Sequence, residues 1–193
     1  MDTQEMPTGV SRGVVANSRC LVVGTVRDSE RGLRGDVAAI AAAFSDFQAV
    51  RYFIVESDSC DSTPVALEEL SREIVGFDYV SLGNLSTQIP ERTERLAYCR
   101  NSYIEELEQN PRYANVDYVV VADLDGVNGR LTKDAVNSCF LSLDWDAYFA
   151  NQLGPYYDIW ALRHPLWSPD DCWQTYAFFM NVRDRPVSNR NRA

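Results

Sequence analysis

Two carboxylates one residue apart, Asp123-Leu124-Asp125, are the side chains of this 193-residue sequence best suited to chemistry. In an extended segment, side chains two residues apart point the same way, so both are expected on one side of the chain. Oxygen ligands of this kind suit a hard divalent cation, Mn2+ or Mg2+, that keeps places open for substrate phosphates. Such a cation stabilises charge developing on a leaving nucleoside diphosphate. An Asp-x-Asp triplet also arises by chance in acidic proteins, and a surface turn is its ordinary explanation. Position decides between the two. The triplet follows Tyr118-Val-Val-Val-Ala122, an apolar run that reads as the strongest strand in the sequence and as a buried one. Asp123 and Asp125 are therefore the expected metal ligands.

Other candidates cluster at the ends of apolar runs. Gly24-Thr25-Val26-Arg27 closes the first run, and its glycine is expected to let backbone approach a nucleotide beside Thr25 and Arg27. Glu56, at the end of Arg51–Val55, is placed to accept hydrogen bonds from a nucleoside, with the loop to Thr63 as pocket wall. The plainer account of that loop is a polar turn in which Thr63 caps the next helix. Arg92 and Arg95 share one face of a helix from which Arg100 is turned away. Composition favours salt bridges from these arginines to Glu91, Glu94, Glu105 and Glu106. His164 is the sole histidine and reads as structural, although it stands beyond the acidic pair. The aromatics around Asp158 (Tyr156, Tyr157, Trp160) suit either core packing or stacking on sugar rings.

The elements that must position these residues alternate regularly. Strands are expected at 20–26, 51–55, 77–82 and 116–122, with shorter pieces near 147–151 and 159–162. Helices are expected over 37–47, after Thr63-Pro64, over 90–109, and after Thr132, where Val136, Cys139, Phe140 and Leu143 face one way. Strands alternating with helices imply a mostly parallel sheet covered on both faces, a three-layer Rossmann-like α/β fold. Ligands of such sheets bind beyond the carboxyl ends of the strands. The groups at 24–28, 56–63 and 123–128 are thereby expected along one rim. Residues 1–18 read as a flexible leader, 19–180 as one domain, and 181–193 as a polar tail.

Bulk properties narrow the partners. A formal charge of -10 argues against general affinity for nucleic acid or anionic membrane. Lys133 is the only lysine, so arginine carries nearly all the positive charge. The five cysteines are scattered and show no zinc spacing, which reads as reduced thiols. No apolar stretch is long enough for a signal peptide or a membrane span, and a cytoplasmic location is expected.

Four segments in order carry a resemblance: Glu56-Ser-Asp-Ser-Cys-Asp-Ser-Thr63, Arg95-Leu-Ala-Tyr-Cys-Arg-Asn101, Asp117-Tyr-Val-Val-Val-Ala-Asp-Leu-Asp125 and Tyr157-Asp-Ile-Trp-Ala-Leu-Arg163. From about Leu21 to His164 the chain resembles the fungal capsule-associated α-1,3-mannosyltransferases and their bacterial relatives, within the GT-A glycosyltransferases. The resemblance implies a GT-A nucleotide-diphospho-sugar transferase fold and metal-dependent transfer of a sugar from a UDP- or GDP-sugar to a glycan acceptor. It puts Glu56 and Ser57 at the nucleotide, and Asp123 and Asp125 at ribose, diphosphate and metal. Arg100, Asn101, Asp158 and Arg163 would line the donor-sugar side. Asp58 departs from a glycine common in the family, and Ala122-Asp123 from an Asn-Asp pair.

The chain is expected to stop short of the acceptor-binding elements, and the sequence singles out no catalytic base. The alternative reading is therefore a non-catalytic nucleotide-sugar-binding domain or truncated remnant. Asp123-Leu-Asp-Gly-Val127 also resembles the nucleophile motif of haloacid-dehalogenase-type phosphatases. That motif belongs on a first strand and needs a downstream lysine, whereas Lys133 sits too near and three strands precede it.

Overall fold

The structure, a computed structural model, describes residues 13–150. The chain divides into two compact units, Met1–Asp146 and Ala147–Ala193, and every strand described here belongs to the first. The expected domain over 19–180 spans that division and runs past the described residues.

The first unit is an α/β structure on a four-stranded, wholly parallel sheet of order β3-β2-β1-β4. Strands β1 (Arg19–Val26) and β2 (Ala49–Glu56) pair along their full length, from Arg19 opposite Ala49 to Val26 opposite Glu56. Strand β3 (Phe77–Ser81) lies outside β2, and β4 (Tyr118–Val121) lies on the other side of β1. Both central strands are rich in Val, Ile, Leu and aromatic residues; β1 is almost wholly buried and β2 is buried from Tyr52 onward, as strands covered on both faces must be.

Alternate residues of β1 supply two cores. Cys20, Val22 and Val26 pack with Leu33, Val37 and Ile40 of helix α1 (Leu33–Ala43) and with Ala66, Leu67 and Leu70 of α2 (Thr63–Glu73). Leu21 and Val23 pack on the other face with Cys99 and Tyr103 of α3 (Arg92–Gln109). Spacings of three and four residues produce each helical stripe. Helix α3 stops where Asn110-Pro111 follows, since proline has no amide to continue the ladder. A short α4 (Lys133–Ser138) begins as expected, with the Thr132 hydroxyl accepting the Ala135 amide at 3.2 Å.

Several expectations need correction. Strand β4 is four residues long, and among the described residues it pairs only with β1. It is an outer strand of that sheet, with Val119 44 % and Val121 66 % exposed, so the apolar run does not mark a strand buried on both faces. Thr63 does not cap its own helix. Ser62 holds the cap position without a side-chain bond, and the Thr63 hydroxyl accepts the Ser29 amide at 2.8 Å. Leu143 is exposed, because α4 ends at Ser138 while Val136 and Phe140 alone of that set are buried. Residues 147–150 form no strand, and Tyr148 and Phe149 are exposed. The strand expected at 159–162 lies outside the described residues.

Candidate functional site

In a sheet of order 3-2-1-4 the chain turns first to one side of β1 and later to the other. The loops leaving β1 and β4 therefore diverge and leave a crevice at the carboxyl ends, the usual ligand position in open parallel sheets. A cleft of about 390 Å³ lies there, lined by Arg27, Asp28, Ser29, Glu30, Arg31 and Gly32 after β1, by Asp61 after β2, and by Asp125 after β4. A second cleft of about 460 Å³ includes Ala49, Arg51, Gly76 and Arg112 at the amino end of the sheet. Its two arginines are engaged: Arg51 donates to the Arg112 carbonyl at 3.0 Å, and Arg112 pairs with Asp78 at 3.1 Å.

The three polar groups do share one rim, and the first two are stitched together there. The Ser59 hydroxyl accepts the Asp28 amide at 3.2 Å, and the Asp28 carboxylate accepts the Cys60 amide at 2.7 Å. Asp61 accepts the amides of Thr63 and Glu30 at 2.9 and 3.0 Å. The Thr63 hydroxyl, together with these amides, outweighs the opposing effect of burial and holds the Asp61 carboxyl below its ordinary range. The wall of the cleft is thus a pre-formed network of carboxylates on backbone amides.

Asp123 and Asp125 flank buried Leu124 and are both exposed, so the expected alternation continues past the end of β4. Their surroundings differ. Asp125 lines the cleft with Arg27 and Arg31, while Asp123 lies within electrostatic reach of Tyr103 on α3. Burial raises the Tyr103 phenol above its ordinary value, Arg100 opposes the rise, and Asp123 adds to it. Among the described residues no group of three acidic, cysteine or histidine side chains is arranged to hold a metal ion. Two carboxylates fit a cation that arrives with substrate phosphates, because Mg2+-like ions need only one or two protein carboxylates when phosphate and water complete the shell. They do not make a complete cage for a resident ion.

The remaining candidates take different places. Arg27 is half-exposed at the cleft and meets Asp28 at 3.4 Å, and Thr25 is half-buried just before it. Gly24 is needed for packing: a Cβ there would stand 2.5 Å from the Ala122 carbonyl oxygen, so its bare face admits β4 and not a ligand. Glu56 is buried, with one carboxylate oxygen accepting the Ser59 amide at 3.0 Å and the other the Ser81 hydroxyl. It shapes the 57–59 turn and does not line the cleft. Ser57 is likewise buried, its hydroxyl 3.5 Å from Cys99 Sγ. Arg100 and Asn101 are exposed on α3, away from the cleft lining. Arg95 pairs with Asp58 at 3.6 Å and donates to the carbonyls of Ile89 and Pro90, replacing the glutamate partners expected from composition. Asp158, Arg163 and His164 lie outside the described residues.

Asp61 belongs to the loop expected as pocket wall, whereas Ser29, Glu30, Arg31 and Gly32 line the cleft without having been singled out from the sequence. Their one available signal was position, immediately after β1 in a sheet whose strand order reverses there. Lys133, the amine a haloacid-dehalogenase-type site would require, is held by Asp46 at 2.8 Å. Four thiols, Cys20, Cys60, Cys99 and Cys139, are free. No helix among the described residues is long and apolar enough to cross a membrane. No protein-family model, no curated protein and no solved structure matches the chain.

Proposed function

We propose that this chain binds a nucleoside-diphosphate sugar with a divalent cation, as the donor-binding part of a metal-dependent glycosyltransferase of the GT-A type. The observation that carries the reading is the cleft between the β1 and β4 loops, which Arg27 and Arg31 line together with Asp125. Two arginines there face four carboxylates, Asp28, Glu30, Asp61 and Asp125, so the lining is net negative. A bare diphosphate meets repulsion in such a cleft, whereas a cation–diphosphate complex offers the carboxylates a positive partner and the guanidinium groups an anionic one. The cation, when bound, neutralises charge on the leaving diphosphate. Asp125 is the residue assigned to hold it from within the cleft, with Asp123 on the flank toward Tyr103 and Arg100. Transfer to a glycan acceptor rests on the sequence resemblance alone.

Calorimetric titration with UDP and GDP, with and without Mn2+, tests the reading. Binding is expected only with the metal, and Asp125→Ala is expected to weaken it about 100-fold, equivalent to about 3 kcal/mol. Metal-independent binding of equal strength, or an unchanged Asp125→Ala variant, overturns it. A donor-hydrolysis assay then separates a transferase from a non-catalytic binder.

A further inference from the structure

We infer that Asp36, on the first turn of α1, is the positioning residue that sets the acidic turn after β4, and that its buried charge is kept for that purpose. The inference rests on the reading of Asp125 as a metal ligand. Asp36 is 2 % exposed, and among the described residues it has no arginine or lysine partner. A carboxylate buried without a counter-ion is costly unless hydrogen bonds replace its water. Both oxygens are so used, and both reach across 90 or more residues of sequence. One accepts the Gly126 amide at 2.7 Å and the other the Asn128 amide at 2.9 Å. Bonds from amides to an ionised acceptor are stronger than neutral ones, and the amino end of α1 adds favourable dipole.

Three further contacts hold the same six residues. The Asn128 side-chain amide closes back onto the Asp123 carbonyl at 2.6 Å. Leu124, 2 % exposed, anchors the turn in the core between the two carboxylates. Gly126 takes a φ of +96°, a conformation glycine adopts without a steric penalty. Gly32 lets it approach: a Cβ on Gly32 would stand 2.9 Å from the Gly126 nitrogen. Residues 123–128 are thus gripped from the α1 side, from the core and from within, while the Asp123 and Asp125 side chains stay exposed. A turn held in this way presents its carboxylates without an ordering cost at binding, the advantage of a pre-organised site. The salt bridges on the exposed faces of α1 and α2 have no such geometry.

The test is a titration of the full chain with Mn2+–UDP and Mn2+–GDP for wild type, Asp36→Asn and Asn128→Ala. Asparagine keeps the shape of Asp36 but turns one acceptor into a donor that faces an amide. Asp36→Asn is expected to lose about 10- to 100-fold in affinity, the range for groups that orient metal ligands. Asn128→Ala, at a half-exposed position, keeps the protein folded and is expected to lose less. Phe77→Leu, a core truncation on β3 at the opposite edge of the sheet from β4, is expected to bind as wild type although its melting temperature falls, which separates positioning from general stability. Hydrogen exchange of the Gly126 and Asn128 amides is expected to accelerate in Asp36→Asn beyond the exchange of the central strands. Wild-type binding that both Asp36→Asn and Asn128→Ala retain overturns this inference alone. Wild type that binds neither complex overturns the metal reading and this inference with it.

Discussion

At the scale of single residues, the rim spends most of its acidic side chains on backbone amides. Asp58 shows the energetics of that choice. It sits at a φ of +58°, with one oxygen accepting the Ser86 amide at 2.8 Å and the other facing Arg95. Burial pushes its carboxyl up, but the bonds from Ser86 and Ser57 and the Arg95 charge outweigh it, and the net shift is downward from the ordinary value. A carboxyl depressed by folding contributes stability that is complete above its unfolded value and is lost as pH falls through its folded value. Asp58→Asn, which keeps the side-chain shape and tolerates positive φ, is therefore expected to cost about 1–3 kcal/mol at pH 7. The cost should shrink as pH drops below about 4. Urea denaturation from pH 3 to pH 7 reads the difference, and a gap constant across that range would discard the account. Asp58→Ala should cost roughly 1 kcal/mol more than Asp58→Gly, since alanine bears the left-handed strain that glycine escapes.

At the scale of elements, the contact between β1 and the end of β4 governs where the acidic turn stands. Gly24→Ala places a methyl 2.5 Å from a backbone oxygen, which no side-chain rotation relieves. Strand β4 must then shift, and a destabilisation of about 1–3 kcal/mol is expected, together with weaker Mn2+–nucleotide binding. Gly35→Ala is the internal contrast. It lies in α1 with open space around the added Cβ, so it should be neutral or stabilising by up to about 1 kcal/mol. Equal losses in the two variants would show that the close approach of Gly24 to Ala122 does not decide the outcome. The same comparison explains why a ligand-facing role for Gly24 was a natural sequence reading. A bare Cα identifies a close neighbour without identifying which one, and here the neighbour is the Ala122 carbonyl.

At the scale of the molecule, the two cores and the rim divide the thiols by access. Cys20 is buried beneath α1, and burial pushes its thiol up to about 12, whereas Cys60 is exposed in the loop that borders the cleft. Since the thiolate is the reactive form, iodoacetamide at pH 8 is expected to modify Cys60 well before Cys20 or Cys99. Peptide mapping over time checks this. Modification of Cys20 at the rate of Cys60 in native protein would contradict the packing of β1 against α1. Protection of Cys60 by UDP or GDP with Mn2+ would further place the bound nucleotide along the 56–63 loop.

The amino-acid sequence by itself determined the alternation of strands and helices, the start of α4 at Thr132, and the arrival of 24–28, 56–63 and 123–128 at one rim. These follow from short-range rules: side-chain period, capping chemistry, and the parallel direction that helical crossovers impose. Tertiary structure alone decided the rest. Strand order made β4 an outer strand among the described residues and opened the crevice beside β1, so that Arg31 and Gly32 entered the cleft lining. A local bond from Ser59 and a distant one from Ser81 consumed Glu56, while long-range hydrogen bonds redirected Thr63 to Ser29 and set Asp36 under the acidic turn. Nothing local distinguishes a carboxylate that faces a ligand from one that holds a distant amide. The difference lies in which backbone groups folding brings within about 3 Å, and that is settled only when strands far apart in sequence pair.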